Sequence, residues 1–292
     1  MNPKTYIKYL PIYLFSLLPM WFLYFLSDLG YIAVYYLIKY RKDVVETNLK
    51  NSFPNLTNIE IKILEKKFYH HFCDIFIEIL KAFTISEKDV KKRFKVKNPD
   101  LLKKYFDSGR SIIYYTSHQG NWEWLSFLPL FVPYQVTALY TKPSSGYFDE
   151  FMKIMRSRFG LVCIEAKKGY KTILEFHQNN TLTLNLIAGD QCPTPNSTKY
   201  WTTFLNQETA FLIGTDRIAK KSNQVVIFPS YRKIKRGYYE LDFNVVETEP
   251  SKINDSRIID NYARLLENSI IKSPELWLWS HKRWKLKKST FK

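Results

Sequence analysis

His118 and Glu123 are the two residues of this chain whose types and spacing most readily form an acid–base pair. They sit in Ser117-His118-Gln119-Gly120-Asn121-Trp122-Glu123, between a β-forming run and a segment rich in helix formers. Across a strand-to-helix turn a carboxylate can fold back onto an imidazole and fix its tautomer, leaving the other ring nitrogen to accept a proton. Glu123 is therefore expected to orient His118 as a general base. The HxxxxE spacing is weak by itself, because a His followed by an acid at this distance often arises by chance. Absences narrow the chemistry. The sequence has no GxSxG elbow, no GxGxxG fingerprint, no Walker loop and no HExxH helix. Cys163 falls within an expected strand, where burial would keep its thiol inert. A base without a nucleophile suggests direct deprotonation of a substrate hydroxyl or amine.

The element that must deliver His118 is the apolar run 111–117, rich in β-branched and aromatic residues. Beyond it, strands are expected at 135–140, 161–164, 181–187 and 224–229. Helices are expected at 147–159, 169–177, 210–220 and 256–271. A polar hairpin around Lys235-Arg236-Gly237 should return through 238–246. Such alternation predicts an α/β fold, a mixed, mostly parallel sheet flanked by helices, whose ligand site lies at the carboxyl ends of the strands. His118 and Asp190 both fall at such ends. Ahead of the sheet, Thr57-Asn58-Ile59-Glu60 reads as a capping box opening a long helix to about residue 82, with a shorter helix over 100–107. His70, Cys73 and Asp74 share a face of the long helix. An aromatic-rich helix with polar groups at its edge is preferred there over a metal site.

Residues 10–27 carry no charge, close to the minimum for a membrane span, and apolar residues resume after Asp28 until the basic run from Lys39. Pro19 argues against one straight helix. A membrane anchor, spanning or lying in the interface, is preferred to a pair of buried core helices, which gives an anchor over 1–50 and a catalytic domain over 51–292. The formal net charge of +17 suits an anionic membrane, an acidic carrier protein or nucleic acid. No nucleic-acid module is recognisable, which argues against the last. Cys73, Cys163 and Cys192 are too scattered for a disulfide frame or zinc site, and point to reduced thiols in a cytosol-facing protein.

The order of the motifs resembles that of the late acyltransferases of lipid A biosynthesis, the lauroyl/myristoyl transferases of Gram-negative inner membranes. The matching pieces are a hydrophobic N-terminal segment, Asn48-Leu49 leading to Phe53-Pro54, the His118 block, Tyr140-Thr141-Lys142-Pro143, Arg156-Ser157-Arg158-Phe159-Gly160 and Gly189-Asp190-Gln191. Last comes Pro274-Glu275-Leu276-Trp277-Leu278-Trp279-Ser280-His281-Lys282-Arg283-Trp284-Lys285. The resemblance implies a glycerolipid-acyltransferase-like sheet at the inner membrane, with the catalytic domain facing the cytoplasm. It also implies transfer of an acyl chain from acyl carrier protein to a hydroxyl of a phosphorylated glycolipid, with His118 as base, Glu123 as partner, no acyl-enzyme and no cofactor. Arg156 would hold a substrate phosphate or a developing oxyanion. Asp190 would place substrate or cap a turn, and Asn121 would cap the following helix or donate into the site. Arg283 would close the sheet end near the site, as would His281. Lys142 stands where the family often has arginine, and a lysine cannot reproduce bidentate phosphate binding. The same chemistry on a lysophospholipid or an amino-acid lipid remains an alternative. More distant ones are a non-catalytic membrane scaffold and a basic nucleic-acid-binding protein.

Overall fold

In the computed structural model, which describes residues 7–197 and 199–291, a seven-stranded sheet forms the centre. Its strands are β1 (Phe94–Val96), β2 (Ile112–Thr116), β3 (Gln135–Tyr140), β4 (Val162–Glu165), β5 (Thr183–Ala188), β8 (Val225–Lys235) and β9 (Tyr238–Glu247). The spatial order is β1-β9-β8-β2-β5-β3-β4, and only the β8–β9 pair is antiparallel. A separate hairpin joins β6 (Lys199–Phe204) to β7 (Gln207–Leu212).

β2 is paired on both sides and buried along its whole length, as expected of a near-continuous apolar run in a parallel sheet. The alternation of its side chains sorts them into two cores. Ile112 and Tyr114 pack on one face of the sheet, Ile113 and Tyr115 on the other. Asn185 ties several polar side chains of the sheet together. Asn185 donates to Thr183 Oγ1 at 2.9 Å and Gln224 Oε1 at 2.9 Å, and accepts from Thr137 Oγ1 at 2.7 Å.

The long helix Asn58–Ala82 opens with the expected capping box, Thr57 and Glu60 bonding reciprocally. The N-terminal segment lies against it as two helices, Leu10–Leu17 and Met20–Ile32, with Pro19 at the break. The second continues as a π-helical stretch, Ala33–Ile38. Met20–Ile38 is one apolar helix of 19 residues with mean hydropathy 1.4, enough by length and composition to cross a membrane. One face nevertheless docks on the long helix through polar contacts. Ser27 donates to Asp74 at 2.8 Å, Tyr24 to Glu78 at 2.9 Å, and Arg236 bridges Asp28 at 2.7 Å and Asp74 at 2.6 Å. The same face of the long helix holds His70, Cys73 and Asp74. Asp74 is in ion pairs, His70 stacks on Tyr31 at 3.6 Å, Cys73 is buried, and no metal-holding group occurs among the described residues.

The stretch 199–222 departs from expectation. A helix from residue 210 is replaced by the end of the β6–β7 hairpin, and the helix begins only at Gly214 and ends at Ser222. Leu205 and Asn206 both adopt positive φ, 48° and 61°, a turn that matches the twist of a two-residue hairpin. The alternating Thr and aromatic residues of β6 favour a pleated surface.

Candidate active site

The strand register brings the site together. In β2 and β5, Thr116 lies opposite Ala188, so that His118 and Asp190, each two residues further on, emerge side by side at the carboxyl edge. Asp190 Oδ1 lies 2.8 Å from His118 Nδ1, and Asp190 Oδ2 accepts the His118 backbone N–H at 2.8 Å. A carboxylate only accepts, so Nδ1 carries the proton and the lone pair resides on Nε2. The Gln191 amide, 3.1 Å from Nε2, donates to that lone pair. Two glycines make the turns tight enough. Gly120 has φ of 61°, and a Cβ there would lie 2.6 Å from Tyr231 Cδ1. One on Gly189 would lie 2.1 Å from Tyr115 Cε2.

Glu123 has a different partner from the one the spacing suggests. It sits in a 3₁₀ segment, Trp122–Leu130, and both its oxygens are taken by Arg156, with Nε at 2.8 Å and Nη2 at 2.7 Å. Arg156 comes from the last turn of the helix Gly146–Ser157. The expectation that Glu123 orients His118 is therefore corrected at the level of geometry. The acid on the imidazole is Asp190, because parallel register aligns it, whereas the bidentate fork of arginine claims the nearer carboxylate in sequence.

The C-terminal signature holds this arrangement from behind. Trp277 Nε1 donates to Asp190 Oδ2 at 2.9 Å. Gly120 N–H donates to Leu276 O at 3.0 Å and Leu278 N–H to His118 O at 3.1 Å, so the segment runs beside the His118 turn like a short added strand. Asn48 in turn donates to the carbonyls of Trp279 at 2.8 Å and His281 at 3.0 Å. The separate motif pieces thus form one structural unit.

A cleft of about 770 Å³ opens over the strand ends, lined by His118, Glu123 and Arg156 and by apolar side chains such as Leu125, Met152 and Leu161. Four other candidates do not line it. Asp190 is buried beneath His118 with its oxygens occupied. Asn121 caps Trp124 N–H at 3.3 Å and turns its amide inward to Glu78 at 2.6 Å. Arg283 is 1% exposed and donates to Ala210 O at 2.6 Å over the Phe211 ring. Lys142 is exposed on the loop after β3, between the cleft residues Thr141 and Pro143. Asp190, Asn121 and Arg283 are thus buried away from the cleft wall, where the resemblance would have had them meet substrate. Sequence reasoning passed over Trp277 and Gln191 as individual residues, although both lay inside motifs it singled out. It also passed over Glu78, whose only signal was a lone carboxylate on the apolar face of a long helix.

The electrostatics follow the geometry. Burial works to lower the pKa of His118, but the charge and hydrogen bond of Asp190, helped by Glu123 and opposed by Arg156, raise it above the ordinary value. Burial would raise Asp190, yet His118, the backbone N–H and Trp277 hold it lower. His281 behaves oppositely. Burial pushes it down to about 4, and its neutral Nε2 accepts the Cys192 N–H at 3.0 Å. Burial pushes the Cys163 thiol up, away from a thiolate nucleophile. Ser117 Oγ has no hydrogen-bond partner among the described residues, so nothing activates it.

Comparison with curated proteins finds no match. A family model described as bacterial lipid A biosynthesis acyltransferase matches residues 2–286, nearly the full length. With a histidine–carboxylate pair facing an apolar cleft at the strand ends, the chain belongs to the family of bacterial lipid A biosynthesis acyltransferases.

Proposed function

We propose that this acyltransferase moves a fatty acyl group from the thioester of acyl carrier protein to a hydroxyl of a phosphorylated lipid A precursor, with His118 as general base and Asp190 as its positioning partner. The observation that carries this reading is the His118 Nδ1–Asp190 contact of 2.8 Å, which aims a lone pair on Nε2 into an apolar cleft. Gln191, exposed, moves aside as substrate enters. The acceptor O–H gives its proton to Nε2 while its oxygen bonds to the thioester carbon. The tetrahedral oxyanion then collapses, the C–S bond breaks, and the imidazolium returns the proton to the leaving sulfur. Asp190 stabilises that imidazolium without taking its proton, the third-group role of a triad. Glu123 holds the Nε and Nη2 edge of Arg156, leaving Nη1 for the oxyanion or a substrate phosphate. No acyl-enzyme forms and no cofactor takes part. The net charge of +17 draws an acidic carrier protein, a phosphorylated acceptor and an anionic bilayer to one molecule.

The enzyme works at the cytoplasmic face of the inner membrane, with its N-terminal helices in the interface. Their outward face is an apolar stripe at helical spacing, including Leu10, Leu14, Leu17, Trp21, Phe25 and Leu29, and their inward face is bound to the domain.

Two measurements test this. His118→Ala should reduce acyl transfer by at least about a hundredfold while the protein remains folded, and unchanged transfer would refute the base. Lipid mass spectrometry of cells lacking the protein should show lipid A short of one secondary acyl chain. Intact lipid A with a change confined to phospholipids or amino-acid lipids would overturn the acceptor.

A further inference from the structure

Glu78 lies on the long helix Asn58–Ala82, fully buried, and lines no part of the cleft. Its carboxylate nevertheless collects donors from three other elements. Oε1 accepts from Tyr24 of the N-terminal helix at 2.9 Å. Oε2 accepts from Tyr239 of β9 at 2.8 Å and from Asn121 at 2.6 Å. Its backbone carbonyl takes the Trp124 indole N–H at 3.3 Å. A carboxylate in an apolar core without function is a poor use of a core position, because burial disfavours its charge. Here burial and Asp74 push the group up to about 7, against the pull of its three hydrogen bonds.

What those bonds hold explains the arrangement. Asn121 stands between His118 and Glu123 and caps the segment that carries Glu123. The Asn121 amide cannot rotate without giving up either Glu78 or the cap. Tyr24 is equally fixed. Its hydroxyl lies so close to Gly237 that a Cβ there would sit 1.9 Å away, and Arg236 stacks over its ring at 4.5 Å. Tyr24 also lies on the same helix as the exposed Trp21 and Phe25 of the outward stripe. One carboxylate therefore joins the helix with the outward apolar face to the turn that bears the reacting histidine.

We propose that Glu78 is a positioning residue that fastens the His118 turn to the N-terminal helix, so that seating of this helix and alignment of the Glu123–Arg156 pair are coupled through Tyr24 and Asn121. Only the kinetic arm of the test depends on the acyltransferase reaction set out above.

The full-length protein in detergent is compared with Tyr24→Phe and Glu78→Gln by amide hydrogen exchange and by steady-state kinetics. Tyr24→Phe deletes a single hydroxyl and keeps the ring packing. It should make exchange in the 118–128 segment roughly tenfold faster. Normalised to the folded fraction, so that loss of folded enzyme is not counted, kcat should also fall several-fold with KM unchanged. Glu78→Gln should show the same pattern more strongly, and if it fails to fold, Tyr24→Phe still decides. Faster exchange confined to the neighbourhood of residue 24, with 118–128 as in the parent protein, would overturn the coupling. Coupled exchange in a protein that transfers no acyl group would support this inference while refuting the reaction. Transfer without coupled exchange would do the reverse.

Discussion

Behind His118, Asp190 has both oxygens committed, one to the ring and the other to the His118 backbone N–H and the Trp277 indole. That arrangement makes a specific prediction about pH. Because the His118 pKa is raised, the imidazole remains protonated, and unable to accept a proton, to a pH above the ordinary 6.5. Activity should therefore rise with pH through that raised value and then level off. Asp190→Asn removes the largest influence holding the pKa up and leaves burial, which lowers it. The acid limb should move to lower pH while the plateau falls by about 10²–10⁴, since an amide does not hold the productive tautomer. Glu123→Gln should move the limb the same way but by less, because Glu123 raises the His118 pKa less than Asp190 does, and it should lower the plateau through Arg156. The kcat/KM–pH profiles of the two variants check this. If Glu123→Gln moved the limb further than Asp190→Asn did, Asp190 would not be the histidine's partner. The contrast also shows what the sequence could reveal at this scale. The histidine was legible because it ends an apolar run before a glycine. Its true partner was not, because Asp190 lies 72 residues away and only strand register brings the two together.

At the scale of elements, the alternating pattern in the sequence yielded the sheet, the long capped helix and the strand-end position of the site. The losses have physical causes. The three-residue β1 is too short to show periodicity. The β6–β7 hairpin was hidden because its turn is Leu205-Asn206 with no glycine, so the positive φ values gave no compositional warning. The His118 turn, by contrast, declares its glycine, and that residue's role can be measured. Gly109 and Gly120 both have positive φ, 70° and 61°, but only Gly120 has a neighbour within contact of a Cβ. Gly109→Ala should lower stability by about 1–2 kcal/mol, the strain of left-handed backbone alone. Gly120→Ala should add a further 1–3 kcal/mol, roughly, from the clash with Tyr231. Denaturant midpoints of the two variants, compared side by side, separate strain from crowding. Equal losses would show that Tyr231 yields freely and that the turn is held only by its backbone.

For the whole molecule, the apolar N-terminal helix governs how the enzyme meets a membrane. Met20–Ile38 is long enough to span, yet its inward face carries Tyr24, Ser27 and Asp28, bound to Glu78, Asp74 and Arg236. Spanning would break these contacts and carry Asp28 into hydrocarbon, which costs about 2.5–3.5 kcal/mol for the charge alone. Lying flat keeps the contacts and buries the outward stripe, where Trp21 is 72% exposed and Phe25 53%. Each such aromatic gains roughly 1.5–3 kcal/mol on leaving water. Trp21→Glu with Phe25→Glu should therefore weaken binding to anionic vesicles by at least about a hundredfold. Because no inward contact is touched, folding should be preserved. The parent protein should float with vesicles even at high salt, since screening removes only the electrostatic share of its attraction. It should nevertheless leave the bilayer under alkaline extraction, as an interfacial protein does and a spanning one does not. A parent protein that resists alkaline extraction, or a double variant that still floats with the membrane, would place the helix across the bilayer and require Tyr24, Ser27 and Asp28 to release the domain.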